Sequence, residues 1–191
     1  MAVIRTYWEH WQALSWKDRL LALVPRKYDM YLYQGTRETL AATPALSTPL
    51  PITIEHYRRG DHTGDPLVDR FLIGSREVYV AKVNGVVAHR GVVTFSFRRA
   101  QRFGFPPGAC LMEAFTLPEY RGLGLHPIVR RFVLEDLFSR GRCDYVYAEI
   151  RPGNIPSMKG IEKGGLRRVA RLQGIKFAGF VLRRRVLPPT A

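Results

Sequence analysis

A short segment from Leu117 to Pro127, called the glycine segment below, has the composition of a loop that binds an anion. Gly122 and Gly124 stand one residue apart, so the backbone can turn sharply and direct successive N–H groups into one concavity. A helix predicted to follow adds unpaired N–H groups and its positive dipole end, and Arg121 adds a charge. These features suit a pyrophosphate. A purely structural turn is the alternative, and no Gly-Lys-Ser/Thr sequence of a P-loop follows.

Two glutamates are candidates for acid–base chemistry. Glu113 lies among apolar residues just before the glycine segment, and Glu149 lies in a later apolar stretch. Either carboxylate could take a proton from an amine, and the two could face one cleft from neighbouring strands. The alternative for each is a strand residue without a catalytic role. His89 is a weaker candidate for an acceptor site, whose pocket Tyr145 and Tyr147 could line unless they pack in the core.

Covalent and metal-dependent chemistry find no support in the residue pattern. No Ser/His/Asp or Cys/His spacing favours a covalent intermediate. The two cysteines, Cys110 and Cys143, lie far apart in apolar contexts and match no ligand spacing, so we expect two buried free thiols and no metal site.

The elements predicted around these residues form a mixed sheet with a few helices. Asn84-Gly85 between two β-rich runs predicts a tight hairpin, and Pro118 ends a strand. Strands are predicted at residues 52–57, 77–83, 86–97, 110–117 and 145–150, with two more within 169–186. Helices are predicted at residues 128–140, ended by Gly141, and 155–163, ended by Gly164-Gly165, with a basic loop at 98–108.

The first 50 residues have a different character. Apolar residues at three- and four-residue steps predict an amphipathic helix over residues 6–24, a short strand follows at 28–33, and the proline-rich residues 41–51 are typical of a linker. We therefore expect an N-terminal extension over residues 1–50 and one domain over residues 51–191.

Two motifs resemble those of a known superfamily. Thr116-Leu117-Pro118-Glu119-Tyr120-Arg121-Gly122-Leu123-Gly124 resembles the acyl-CoA-binding motif Arg/Gln-x-x-Gly-x-Gly/Ala of the GNAT (Gcn5-related N-acetyltransferase) superfamily. Asn154-x-x-Ser157, followed by Ile161-Glu162-Lys163-x-Gly165, resembles its next motif. The resemblance covers roughly residues 52–186. It implies an α/β (α+β) fold with a mostly antiparallel sheet, one βαβ crossover and central strands that splay to admit the pantetheine arm of the thioester.

The resemblance also implies roles for individual residues. Pantetheine would bind, like an added strand, to the backbone of Phe115, Thr116 and Leu117. The pyrophosphate would be surrounded by Arg121, Gly122, Leu123, Gly124, Leu125 and His126. Asn154 and Ser157 would contact the pantetheine or adenosine side. His126 departs from the expected Gly or Ala, and Ile161 replaces a common tyrosine general acid, so water or another side chain would protonate the thiolate.

The charge distribution leaves the partner open. The 191 residues include 30 Lys+Arg and 16 Asp+Glu, a net charge of +14. From residue 121 onward there are 15 basic and 5 acidic side chains, so this part carries +10 of that charge. One CoA needs only a few positive groups. The surplus could bind a polyanion such as tRNA, an anionic membrane surface or an acidic acceptor.

These observations favour an N-acyltransferase that passes an acyl group, acetyl in the simplest case, from acyl-CoA to an amine by direct attack. One alternative uses an aminoacyl-tRNA or acyl-tRNA as donor on the same fold. Another is a non-catalytic GNAT-like module that binds nucleic acid. Since no signal peptide or transmembrane segment is evident, we expect a cytoplasmic protein.

Overall fold

A computed structural model describes residues 23–95, 98–178 and 180–189. Eight strands form one mixed sheet in the order β2-β3-β4-β5-β6-β1-β7-β8. The strands are β1 (Arg26–Gly35), β2 (Ile52–Arg58), β3 (Arg76–Val83), β4 (Val86–Thr94), β5 (Ala109–Thr116), β6 (Val146–Ile150), β7 (Arg167–Phe177) and β8 (Phe180–Leu187).

Two longer helices and three helices of about one turn accompany the sheet. The helices are α1 (Arg37–Ala41), α2 (Pro66–Asp69), α3 (Arg99–Arg102), α4 (Leu125–Ser139) and α5 (Ile155–Lys163), with a 3₁₀ turn at Pro118–Tyr120. The predicted helix over residues 6–24 lies almost wholly outside the described residues. The single turns α1, α2 and α3 were not predicted, because four or five residues carry too little periodicity.

The β5-α4-β6 segment is the crossover that the sequence predicts. β5 and β6 run parallel and pair only from Ala109↔Val146 to Leu111↔Ala148. Beyond Leu111 the two strands separate, and β5 continues to Thr116 beside β4. The remaining pairings are antiparallel. The predicted fold class, a mostly antiparallel sheet with one crossover and splayed central strands, is therefore confirmed.

Local turn chemistry explains several boundaries. Asn84 and Gly85 have φ values of 49° and 81°, as a tight hairpin between β3 and β4 requires. Gly141 follows α4 with φ of 61°, and its N–H donates to the Phe138 carbonyl. This is the C-terminal glycine motif that the sequence predicts.

β1 lies in the middle of the sheet, although its residues fall within the expected N-terminal extension. It pairs antiparallel with β6 on one side and with β7 on the other. Asp29 accepts hydrogen bonds from Arg171 Nε at 2.7 Å and Nη2 at 2.8 Å, which ties β1 to β7. Residues 26–35 thus supply a central strand to the sheet that carries the crossover.

The proline-rich stretch after α1 contains no strand or helix, yet it is not a free linker. Thr48 Oγ1 donates to the Leu123 carbonyl at 3.0 Å, and Leu50 packs beside Leu125. The expectation of a linker is wrong in this respect, because these residues lie against the glycine segment.

The helix α4 covers one face of the sheet. Its apolar residues pack against β3, β5 and β6 in the largest core cluster, which includes Val129, Val133 and Leu137. On the opposite face, α3 and the following loop cover β1, β6 and β7 through Ala100 and Phe103. The region where β5 leaves β6 therefore lies between two packed layers.

A buried polar network fixes α4 to β3. Glu77 contacts His56 Nε2 at 2.7 Å and Arg140 Nη2 at 3.0 Å, and Tyr79 donates to Asp136 at 2.6 Å. Burial alone would raise the pKa of Glu77, but the hydrogen bonds from His56 and Arg140 outweigh it and lower that pKa to about 2. The network holds the helix that begins at the glycine segment.

Candidate functional site: a cleft between the splayed strands

A cleft of about 590 Å³ opens where β5 departs from β6. The C-terminal part of β5, the glycine segment, the first turn of α4 and one face of α5 form its walls. Most of the predicted cofactor-binding residues line it: Phe115, Thr116, Arg121, Gly122, Gly124, Leu125, His126, Asn154 and Ser157. The structure thus brings the two sequence motifs together around one space.

The glycine segment lines this cleft at Gly122 and Gly124. Gly122 and Gly124 both have φ of 80°, a conformation that glycine adopts without strain. Gly124 is the N-cap of α4, and no described side chain caps this helix end. The first N–H groups of a helix lack intrahelical partners and carry the positive end of its dipole. An anion held here would satisfy both features.

Leu117 and Leu123 are the two predicted cofactor residues that do not line the cleft. The Leu117 N–H donates to the Ala88 carbonyl, and the Leu117 carbonyl accepts from Tyr120. The Leu123 carbonyl accepts from Thr48. The Leu117 N–H is therefore already engaged within the protein, while its carbonyl keeps a second lone pair, so the role of Leu117 in binding pantetheine stays a prediction.

The open edge of β5 lies at Ala114, Phe115 and Thr116. Arg121 Nε donates to the Thr116 carbonyl at 3.2 Å, which folds the glycine segment back onto the strand. The β4–β5 register shifts between Arg90 and Val92, and Glu113 opposite has φ of 49°. This bulge bends β5 away from β6 and increases the splay.

The helix α5 supplies the other wall. The Asn154 side chain caps α5 by accepting from the Ser157 N–H at 3.3 Å, so both residues are held at the cleft. Lys159 and Lys163 also line it and were missed from the sequence. The signal was present: the lining residues Pro156, Lys159, Gly160 and Lys163 follow the spacing of one helical face.

The floor of the cleft is polar. His89 is 1% exposed, and its Nδ1 lies 2.7 Å from Thr116 Oγ1. The His126 ring lies 5.5 Å from the His89 ring, centroid to centroid. Arg130 Nε donates to His126 Nε2 at 3.2 Å. Burial, with the nearby Arg130 charge, lowers the pKa of His89 to about 2 and that of His126 to about 3, so both rings are neutral near pH 7.

The two candidate carboxylates lie in different surroundings, and neither lines the cleft. Glu113 is exposed at the bulge, because the positive φ turns it out of the strand. Glu149 is buried on the opposite face of β6, where it accepts from Tyr28 at 2.6 Å and pairs with Arg99 at 2.5 Å. The expectation that both face one cleft is wrong.

The other predicted acceptor-site residues belong to the packing layers. Tyr147 is fully buried, stacks with Tyr145 and donates to the Pro106 carbonyl at 3.0 Å. Burial raises the pKa of the Cys110 thiol, while Cys143 is partly exposed, and both cysteines are free. His89 lies at the cleft floor and not on an open face.

The geometry suits a ligand with an anionic head and an extended arm. The uncapped end of α4 and the two glycines could hold the head, and the unpaired part of β5 has backbone groups that could bond the arm. The residues present therefore fit an acyl-CoA. The described residues include no group of three or more side chains that could hold a metal ion. Within the same residues, no helix has the length and apolar character needed to cross a membrane.

No family model matches the chain, and neither does any curated protein. Solved structures do match. A putative acetyltransferase of the GNAT family from Novosphingobium aromaticivorans superposes with a TM-score of 0.50 and 19% identity over 78% of this chain and 65% of that one. A Drosophila protein superposes with a TM-score of 0.53 and 14% identity over 82% of this chain and 52% of that one.

The first of these likenesses shows that the chain has a GNAT-like fold. The chain spans less than two thirds of the length of either neighbour.

Proposed function

We propose that the protein is an N-acyltransferase that takes an acyl group from an acyl-CoA and passes it to an amine. The observation that carries this proposal is the cleft itself, in which an uncapped helix N-terminus and two positive-φ glycines adjoin an unpaired strand edge. The first feature suits a diphosphate and the second suits an amide-containing arm. The GNAT-like fold of the first structural neighbour is consistent with it.

Glu113 is the proposed general base. Its carboxylate is exposed two residues beyond the last β5–β6 pair, beside the point at which the arm would end between the strands. Water or an amine can reach it there. The attacking amine loses a proton as the C–N bond forms, and the C–S bond of the thioester breaks. Glu149 is the second candidate, and its role would require release from Arg99 and Tyr28.

The departing thiolate needs no strong acid. A thiol has a pKa of about 8.5 and leaves readily. Ile161, at the position where the resembling superfamily often has tyrosine, is 2% exposed in the apolar core, so it takes no part in proton transfer. Water entering the cleft supplies the proton.

Thermal unfolding with and without acetyl-CoA tests the proposal. A ligand that binds only the folded state raises the melting temperature, and its stabilisation at a hundredfold excess over Kd is about 2.7 kcal/mol. We expect a clear rise at 1 mM acetyl-CoA. Gly122→Val, which forces a β-branched side chain into φ of 80°, should reduce it. An unchanged melting temperature of the wild-type protein at millimolar acetyl-CoA contradicts the proposal.

A second candidate function is supported by a basic surface away from this cleft. A smaller cavity of about 220 Å³ is lined by Lys27, Arg183 and Arg185, among others, and the neighbouring Asp29 is already paired with Arg171. Exposed arginines beside a shallow cavity suit the phosphates of a polynucleotide, so the donor could be an aminoacyl-tRNA or acyl-tRNA.

Salt dependence separates the two donors. Binding of tRNA to a surface that contacts several phosphates should weaken by orders of magnitude between 50 and 200 mM salt, on the order of 10³-fold for six contacts. Replacing Arg183 and Arg185 by glutamine should reduce this slope. Binding of acetyl-CoA should change much less with salt. A tRNA affinity that does not respond to salt or to these substitutions removes the second candidate.

A further inference from the structure

Arg130 is a buried cation without a carboxylate partner among the described residues. Its side chain extends from α4 beneath the cleft floor and is 3% exposed. Nε donates to His126, and Nη1 has no hydrogen-bond partner in the described part of the protein. Burial lowers the pKa of Arg130 to about 10, so the group remains charged at neutral pH.

Three glycines make room for this arrangement. A Cβ at Gly160 would lie 2.4 Å from His126 Nδ1, and one at Gly164 would lie 2.7 Å from Arg130 Cβ. A Cβ at Gly91 would lie 3.3 Å from Arg130 Nη1. None of these glycines has a positive φ, so the turn geometry does not require them. Their positions are explained by close packing around the two side chains.

The hydrogen bond from Arg130 fixes the tautomer of His126. A guanidinium can only donate, so His126 Nε2 must accept. A neutral imidazole that accepts at Nε2 carries its proton on Nδ1. His126 therefore offers one N–H donor beside Gly160, where both residues line the cleft.

His89 has a similar unused nitrogen. Its Nδ1 is engaged with Thr116 Oγ1, while its buried Nε2 has no partner in the described residues. The Thr116 hydroxyl can either donate to Nδ1 or accept from it, so this contact does not fix which nitrogen of His89 carries the proton. Because Nε2 is fully buried, His89 packs behind His126 and the donor that faces the cleft is His126.

We propose that His126, with Arg130 as the positioning residue behind it, forms a subsite that donates a hydrogen bond from Nδ1 to a carbonyl oxygen of the ligand's arm. This inference rests on the proposed function, because the arm is the amide-containing chain between the diphosphate and the thiol of CoA. The subsite lies at the cleft floor beside Thr116, next to the strand edge that the arm would follow.

Neutral donors fit carbonyl oxygens better than phosphates. The diphosphate is provided for by the N–H groups of the glycine segment and by the dipole of α4. An amide oxygen carries no full charge, so it pairs with an uncharged N–H without the desolvation cost of an ion. This assignment differs from the sequence-based expectation that His126 contacts the pyrophosphate.

Calorimetry with two probes tests the subsite. CoA contains the arm, and adenosine 3′-phosphate 5′-diphosphate contains the same nucleotide without it. One neutral hydrogen bond contributes about 0.5–1.5 kcal/mol, which corresponds to roughly a twofold to tenfold change in affinity. We expect His126→Ala to weaken CoA binding by about this factor and to leave binding of the nucleotide within twofold of the wild type. His62→Ala, at a side chain that is 86% exposed, is the matched histidine control.

Gly160→Ala provides an independent perturbation. Alanine is favoured over glycine inside a helix by about 1 kcal/mol, so the fold should not suffer. Its Cβ would nevertheless displace the His126 ring. Gly160→Ala should therefore weaken CoA binding in the wild-type background and have no further effect when His126 is alanine.

The possible outcomes are distinct. Equal losses for both probes would mean that His126 contacts the phosphates, and unchanged CoA affinity in His126→Ala would mean that it contacts nothing; either result overturns the subsite. If the wild-type protein fails to bind CoA, this result contradicts the proposed function and also the subsite that rests on it. The ring ¹⁵N shifts of His126 give a further readout, because Arg130→Met should change the tautomer signature that the Arg130 hydrogen bond imposes.

Discussion

Replacing Arg130 by methionine should make the ligand-free protein more stable, which is the opposite of the usual effect at a buried position. Burial lowers the pKa of Arg130 to about 10 in the folded protein, more than two pH units below its ordinary value. A cation whose pKa is lower in the folded state opposes folding at every pH below that folded value. At about 1.4 kcal/mol for each pH unit, the cost is about 3 kcal/mol.

Part of the stability gained by removing the buried charge is lost again in Arg130→Met. Methionine cannot donate to His126 Nε2, and the loss of that hydrogen bond costs about 1 kcal/mol. Methionine is flexible enough to fill most of the space that the guanidinium leaves beside Gly91. The net stabilisation should be about 1–2 kcal/mol, in the range seen when buried charges are replaced by apolar side chains.

The assay is thermal unfolding of Arg130→Met beside Arg131→Met, the adjacent position on α4. A change of 1 kcal/mol shifts the melting temperature of a protein of this size by about 2–4 °C, so a rise of about 2–8 °C is expected for Arg130→Met. Arg131 bonds the carbonyls of Thr43 and Pro44, so its loss should leave the melting temperature unchanged or lower it. The rise produced by 1 mM CoA should be smaller in Arg130→Met. A fall of several degrees for Arg130→Met without ligand refutes the reasoning, because the cation would then be compensated within the fold.

Three further substitutions test other parts of the structure. Glu113→Gln should reduce thiol release from acetyl-CoA with a mixture of primary amines by about 10²-fold and spare CoA affinity; an unchanged rate excludes Glu113 as the base. Glu77→Gln should destabilise the protein by about 3 kcal/mol at pH 7. Because the pKa of Glu77 is about 2 when folded and 4.5 ordinarily, that deficit should shrink in melts taken between pH 4.5 and pH 2; a constant deficit contradicts the ion-pair account. Gly108→Ala would place a Cβ 2.3 Å from the Tyr145 carbonyl oxygen, so we expect a loss of about 2–3 kcal/mol in denaturant unfolding, and a loss below 0.5 kcal/mol would show that β5 can shift.

Features that depend on neighbouring residues could be predicted from the sequence. The hairpin at Asn84-Gly85 and the ends of α4 and α5 at Gly141 and Gly165 rest on local conformational preferences, since these glycines have positive φ. The glycine segment could be predicted for the same reason, since Gly122 and Gly124 favour a sharp backbone turn within a few residues. Periodicity then placed a helix after it.

Features that depend on the order of strands could not be predicted in this way. No local pattern predicts that β1 inserts between β6 and β7, because this position depends on pairing with residues more than a hundred positions away. The bulge at Glu113 depends on the register with β4, so its positive φ had no sequence signature. The contact of His126 with Gly160 likewise joins two helices whose packing the sequence does not specify.

The central position of β1 has a consequence for the order in which the protein can fold. As the chain emerges from the ribosome, Arg26–Gly35 is made early, but both of its partner strands are made late. The Asp29–Arg171 pair spans 142 residues. β1 must therefore wait with two unpaired edges until β6 and then β7 become available, and β7–β8 can join the sheet only through it. Folding should consequently be slow and post-translational. In nascent chains that stop before residue 146, both edges of β1 would be unpaired and could pair with strands of other chains, which promotes aggregation.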